Sequence, residues 1–164
     1  GIYEVVFDNS NKKDEAYYNN TNQSFNFADG VATASFGTAT AKRLNDEDAK
    51  DDDGNNLLDE DGNQVINYGL KTEKKRVIKS QASGLLAPTD WYVIKATDVA
   101  EYSVPSAVTT FRADVRTKSN EMETAIDNAS DVDALATLYA YVNTGTEENP
   151  VMERPLGEWP ELEV

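Results

Sequence analysis

The chain of 164 residues has no cysteine and no histidine. The first absence removes disulfides, zinc–thiolate sites and thiol catalysis. The second removes Ser-His-Asp triads, imidazole metal sites and the usual general base near neutral pH. No apolar run approaches the roughly 20 residues of a membrane span. No glycine-rich loop of the kind that cradles phosphate is present. Bases are scarce, with 15 Lys and Arg against 30 Asp and Glu, a net charge of −15. Such a balance repels nucleic acid and anionic membranes and favours docking on basic protein surfaces. We therefore expect no nucleic-acid partner, no membrane partner, no metal and no cofactor. Hydrophobic residues make up 39% and charged residues 27%, which suggests a modest core plus regions left exposed or buried in interfaces. The length suits one domain, or one domain with appended segments.

Near the start, Ile2 to Phe7 is β-branched and aromatic and reads as a strand. Gly1-Ile2-Tyr3 carries no signal-peptide pattern, and Val5 stands where myristoylation needs Ser or Thr. Asp8 to Asn22 reads as a loop, in which Tyr17-Tyr18 could pack locally. Ser24 to Phe27 and Val31 to Phe36 flank Asp29-Gly30, a dipeptide that tolerates the positive φ of a tight hairpin turn. Thr38 to Ala41 is β-prone and could extend the second strand.

From Asn45 to Gly62 the composition shifts to nine acids, with Lys50 as the one base. Asp53-Gly54-Asn55 and Asp61-Gly62-Asn63 are turn signals eight residues apart. They are too short to imply a repeat fold. The expectation is an acidic excursion, with Val65 to Tyr68 as a returning strand. Lys71 to Lys79 reverses the charge, with five bases against Glu73. Thr72 is the predicted cap of a helix with Val77, Ile78, Ala82, Leu85 and Leu86 inside. Gly84 weakens this helix and Pro88 ends it. Thr89-Asp90 then caps a short turn carrying Trp91, Tyr92 and Ile94.

The clearest helix runs from about Pro105 to Asn128. Its stripe of Val108, Phe111, Val115, Met122, Ala125 and Ala129 steps by three and four residues, interrupted by Lys118. This stripe reads as core before it reads as a binding groove. Ser130 to Asp133 starts another helix, with Val132, Leu135, Leu138, Tyr139 and Val142 as its apolar face. Thr144 to Val164 has no periodicity and reads as an extended tail anchored by Val151, Leu156, Trp159 and Leu162. Trp159 fits a pocket either on its own chain or on a neighbour.

The expected fold class is α+β: an N-terminal antiparallel β region, a helical C-terminal part and an extended tail. The expected divisions are a β-rich region 1–70 with its acidic loop 45–63, a helical region 71–143 and the tail 144–164.

Candidate chemistry is thin. Asp51, Asp53, Gly54 and Glu60 fall at EF-hand positions 3, 5, 6 and 12, but Ala49 and Asn56 break the register. A solvated acidic loop is the preferred reading. Paired carboxylates can hydrolyse glycosides without His, yet nothing sets two of them in an aromatic cleft. No catalytic residue is assigned and no enzyme is expected.

Leu85-Leu86, then Thr89-Asp90-Trp91, Pro105 and Phe111-Arg112-Ala113-Asp114-Val115-Arg116 resemble a segment of the phage tail-fibre assembly chaperone family and related tail proteins. Trp159-Pro160 is similar to the Trp-Pro near those proteins' ends. Taken whole, the chain resembles small acidic virion proteins of contractile-tailed marine bacteriophages. The first 70 residues take no part in the resemblance. An extra helix before Trp159-Pro160 departs from the chaperone pattern and suits a module reused in a structural protein. The resemblance implies a virion component of the tail, baseplate or fibre-attachment region, present in the host cytoplasm during assembly. Its partners would be other phage structural proteins, with self-association left open. A transient assembly chaperone and a capsid decoration protein are the alternatives. Candidate interface residues are Trp91, Phe111, Arg112, Arg116 and Trp159. Structural pairing of Arg112 and Arg116 with Asp90 or Asp114 is slightly preferred to a role on a partner.

Overall fold

A computed structural model describes residues 3–163. Ile2 of the predicted first strand lies outside the described residues. The N-terminal part holds β1 (Val5–Asp8), β2 (Tyr18–Asn19), β3 (Gln23–Ala28), β4 (Val31–Phe36) and β5 (Thr40–Ala41). β3 and β4 form the expected hairpin, with Asp29 at φ 52° and Gly30 at φ 80°. Positive φ at both central residues twists the turn in the sense the strands require. β1 joins the free side of β4 in parallel, giving a three-stranded sheet of order β1-β4-β3. Thr40 and Ala41 do not extend β4. They pair with Asn19 and Tyr18 of β2 instead.

The acidic segment is more ordered than an excursion. β6 (Glu47–Asp48) pairs with β7 (Ile66–Asn67), and Lys50 bridges Asn56 while Leu58 bridges Gln64. Three short arms thus radiate from Ala49, Leu57 and Val65, which are spaced by eight residues. Leu57 N–H donates to the Ala49 carbonyl at 2.9 Å, Val65 N–H to Leu57 at 2.9 Å and Ala49 N–H to Val65 at 2.8 Å. The Gln64 side-chain nitrogen caps the ring, 3.0 Å, 3.2 Å and 2.8 Å from the Ala49, Leu57 and Val65 carbonyl oxygens. In each tip an Asp takes the backbone N–H groups of the turn. Asp51 accepts from Asp53 and Asn55, and Asp59 from Asp61 and Asn63.

The helices are α1 (Leu70–Leu86), α2 (Asp90–Asp98), α3 (Ser106–Asn128) and α4 (Val132–Tyr139), with a 3₁₀ turn at Ala87–Thr89. Pro88 sits in that turn, where its missing N–H costs no α-helical bond. Thr72 does not cap α1. Gly69 holds the cap position, and Asp46 reaches across to accept from Gly69 N–H at 2.8 Å and from the Thr72 hydroxyl at 2.9 Å. Asp131 caps α4 as expected, accepting from Ala134 N–H at 2.7 Å.

The core lies between α1 and α3. One cluster gathers Ile78, Met122, Ile126, Val132, Leu135 and Leu156 with Tyr17 and Tyr18 from the N-terminal part. A smaller one holds Ala82, Phe111 and Val115. Ser119 and Ile126 complete the buried stripe of α3. Lys118 stands beside it, 3.6 Å from Glu121. Val77 is exposed rather than inside α1. Residues 71–79 read as a helix whose polar face answers the acidic segment before it, but two of its bases turn to α3 instead. Lys75 pairs with Asp127 at 2.7 Å and Lys79 with Glu123 at 3.3 Å, both on α3.

The tail folds back. α4 stops at Tyr139, so Val142 leaves the predicted helix face and enters β8 (Val142–Asn143), which pairs with β9 (Met152–Glu153). Leu156 is buried and its N–H reaches the Leu138 carbonyl at 3.0 Å. Leu162 packs on the smaller cluster, whereas Val151 is exposed and anchors nothing. The architecture is α+β. No helix among the described residues is long and apolar enough to cross a membrane.

Candidate functional site

Four of the five predicted interface residues are engaged within the chain. Phe111 is buried in the smaller cluster. Arg112 pairs with Asp90 at 2.8 Å and donates to the Leu86 carbonyl at 3.0 Å and to the Thr89 hydroxyl. Arg116 is exposed and, among the described residues, pairs with neither Asp90 nor Asp114; it donates to the Arg112 carbonyl at 3.0 Å, one turn back on its own helix. Trp159 packs against both clusters, and its Nε1 donates to Gln81 Oε1 at 3.1 Å. Self-docking is therefore how this chain uses its late tryptophan. Trp91 stays half exposed, stacked on Tyr92 with ring centroids 3.8 Å apart. Ile94, on the same helix, is exposed as well.

Leu86, Thr89, Asp90 and Arg112, drawn from separate words of the motif, meet at one guanidinium. All three contacts are made by one nitrogen, Nη1.

A second site was not anticipated from the sequence. Pairing places Phe7, Ala34 and Phe25 in one row across the sheet and Val5, Ala32 and Phe27 in the next. Side chains alternate along strands, so both rows share a face. Tyr3 joins them, its ring centroid 4.9 Å from that of Phe27. The opposite face carries Ser24, Asn26, Thr33, Ser35 and Asp8, with Val6 and Val31 among them. The sheet is thus amphipathic, yet among the described residues no element packs over the rings of Phe7, Phe25 and Phe27; at one end Lys12 reaches over Phe36 on the same face, its Nζ 5.6 Å from the ring centroid. Phe25 is 70% exposed, Phe7 62%, and Phe27 and Tyr3 57% each. Ala34, in the trough between Phe7 and Phe25, is fully buried. None of these residues belongs to either core cluster. The alternation Ser24-Phe25-Asn26-Phe27 was the available signal, but it does not say whether the chain itself covers the face.

A third feature is a cavity of about 460 Å³ lined by Lys13, Asp14, Tyr17, Tyr18, Asp133 and Tyr139, among others. The Tyr18 hydroxyl donates to the Asp133 carboxylate, and Lys13 Nζ lies 3.6 Å from the same carboxylate. The Tyr18 bond holds Asp133 below its ordinary value, and Lys13 is pushed up by Tyr18. Burial pushes the Tyr139 hydroxyl up to about 12. At neutral pH the clasp is therefore carboxylate, ammonium and phenol. It ties the N-terminal part to α4.

The EF-hand reading does not describe residues 49–60. The Asp51 carboxylate is spent on its own turn, and the segment forms tight arms rather than a loop between helices. Among the described residues no three His, Cys, Asp or Glu side chains gather to hold a metal ion.

No family model, no curated protein and no solved structure matches this chain. Its function has to be argued from its own surfaces.

Proposed function

We propose that this chain is a structural protein of a phage virion, placed at the tail, baseplate or fibre-attachment region, and that it acts through protein–protein contacts. The open aromatic face of the β1-β4-β3 sheet is the observation that carries the contact role. Water-exposed rings at this density are costly unless a partner covers them. The tail assignment is supported by the resemblance of the Leu85 to Arg116 words, which converge on the Arg112 guanidinium. In this reading the two helical clusters form a rigid body and the sheet is its contact arm. Net charge keeps the free chain dispersed in the host cytoplasm before assembly.

Mass spectrometry of salt-washed particles, separated into heads and tails, tests the proposal. A fixed copy number in the tail fraction is expected. Absence from particles, with the chain present in lysate, would replace this reading with the assembly-chaperone one. Hundreds of copies in the head fraction would make it a decoration protein.

A further inference from the structure

We propose that the open edge of β3 receives an extended segment of another protein, which pairs antiparallel with Gln23–Ala28 as a fourth strand of the sheet. The proposal rests on reading this sheet as a contact arm and is independent of the virion assignment.

The backbone fixes what can bind there. β3 is the last strand in the order β1-β4-β3. Ala28 and Val31 flank a two-residue turn, so they exchange both ladder bonds. Bonded pairs then recur at Asn26 with Thr33 and at Ser24 with Ser35. Gln23, Phe25 and Phe27 fall between them and turn their N–H and C=O groups away from β4. No turn or loop among the described residues takes these groups. A donor and an acceptor on every second residue, aligned along one edge, match another extended backbone. An antiparallel strand supplies both bonds from a single residue.

Nothing local guards this edge. Native edge strands carry charges, proline or a bulge against unwanted pairing. β3 has no charge and no proline, and its six pairs with β4 run without a bulge. Between Glu15 and Lys42 the one charged residue is Asp29, although 27% of the chain is charged. Depletion of charge marks the centre of an interface. The other edge strand, β1, follows Glu4 and ends in Asp8. The short strands β6 and β9 carry Glu47, Asp48 and Glu153.

The net charge of −15 bears on whose strand it is. It keeps copies of this chain apart, so β3 can stay unguarded without pairing to itself. The segment therefore belongs to a different protein and is free of acids. Its pattern follows from the pleat. Residues opposite Gln23, Phe25 and Phe27 stand beside the two exposed rings and are apolar. Those between them stand beside Ser24 and Asn26 and are small and polar.

Amide hydrogen exchange by NMR on the full chain tests this, with the peptide Lys-Thr-Val-Thr-Phe-Thr-Val-Lys as the probe. In the free chain the Phe25 and Phe27 amides should exchange at least about tenfold faster than those of Ser24 and Asn26. The peptide at about 1 mM should slow Phe25 and Phe27 by about tenfold. N-methylation of its Val and Phe residues should abolish the effect, because those amides face β3. N-methylation of its three Thr residues should not. Phe25→Pro removes the outward N–H with the ring and should weaken binding about tenfold, whereas Phe25→Thr removes the ring alone and should weaken it about threefold. No slowing at about 1 mM peptide overturns the proposal. So does slowing by the peptide methylated on Val and Phe, or a folded Phe25→Pro chain that binds as well as Phe25→Thr. Phe25 and Phe27 amides already protected in a free chain of doubled mass would overturn it too, by making the partner a second copy. The methylated peptides decide the matter even where Phe25→Pro does not fold. Particle composition decides the virion assignment separately, so the two can fail independently.

Discussion

Arg112 Nη1 stands 2.8 Å from Asp90 Oδ1 and 3.0 Å from the Leu86 carbonyl oxygen, with only 12% of its side chain exposed. It closes the angle between α1, the 3₁₀ turn and α3. Asp90 is half exposed, so the ionic part of this contact is worth little. The larger loss on truncation comes from the Leu86 carbonyl and the buried alkyl chain. Arg112→Ala should cost about 2 kcal/mol and Arg112→Lys about half as much, since Lys keeps the charge and most of the alkyl chain but not the reach of Nη1. Urea unfolding with an unchanged slope reads both.

Gln64 gives a sharper test. Its amide nitrogen faces three backbone carbonyls at 2.8 to 3.2 Å. A carboxylate in the same place would set anionic oxygen against carbonyl oxygen. Gln64→Glu should destabilise the three-armed segment by roughly 2 kcal/mol at neutral pH, and acid should recover part of that loss as the new carboxyl takes a proton. Amide hydrogen exchange at Leu57 and Val65 locates the effect.

Much of the fold was legible in residue order. Asp29-Gly30 marked its hairpin, Asp131 its helix cap, and the three-four spacing of Val108 to Met122 its buried stripe. What escaped were relations between distant residues. The eight-residue spacing of Ala49, Leu57 and Val65 has meaning only once their backbones close a ring. Thr72 resembles a cap by position, but Gly69 holds that place, and the Thr72 hydroxyl donates instead to Asp46, 26 residues upstream. The site was least legible. Phe111, Arg112 and Trp159 have the types and spacing of interface residues, and the same types build a core when a partner segment of the chain lies nearby. Phe25 and Phe27 have the alternation of a half-buried strand, and periodicity cannot say whose atoms bury it.

Two glycines should respond with opposite signs. Gly84 is exposed within α1, and a methyl group there meets nothing within 4 Å. Gly84→Ala should stabilise by about 0.5–1 kcal/mol, raising Tm by roughly 1–4 °C. A methyl group on Gly69 would lie 2.6 Å from the Leu44 carbonyl oxygen and just as close to Asn45. Gly69→Ala should cost about 1–3 kcal/mol and lower Tm.

The pH profile follows from the shifted groups. Asp46, Asp51, Asp59 and Asp133 are held below the ordinary carboxylate value, chiefly by hydrogen bonds from Gly69, Asn55, Asn63 and Tyr18. A lowered folded value means the stabilisation is present above the unfolded value near 3.8 and is lost as pH falls through the folded one. Burial raises Tyr139 to about 12, so its contribution is intact below pH 10 and is lost between 10 and 12. With no histidine or cysteine side chain to titrate between these limits, the urea midpoint should be nearly flat from about pH 5 to 9. A marked slope inside that window would contradict the assignment of these groups.

Hydroxyl-radical footprinting of Phe7, Phe25 and Phe27 asks most directly whether the aromatic face is a contact surface. These rings should oxidise fast in the isolated chain at high dilution and become protected in the assembled state, while the exposed tips at Asp52 and Glu60 stay hydrated. Equal oxidation of the three rings in both states would contradict a contact role for the face.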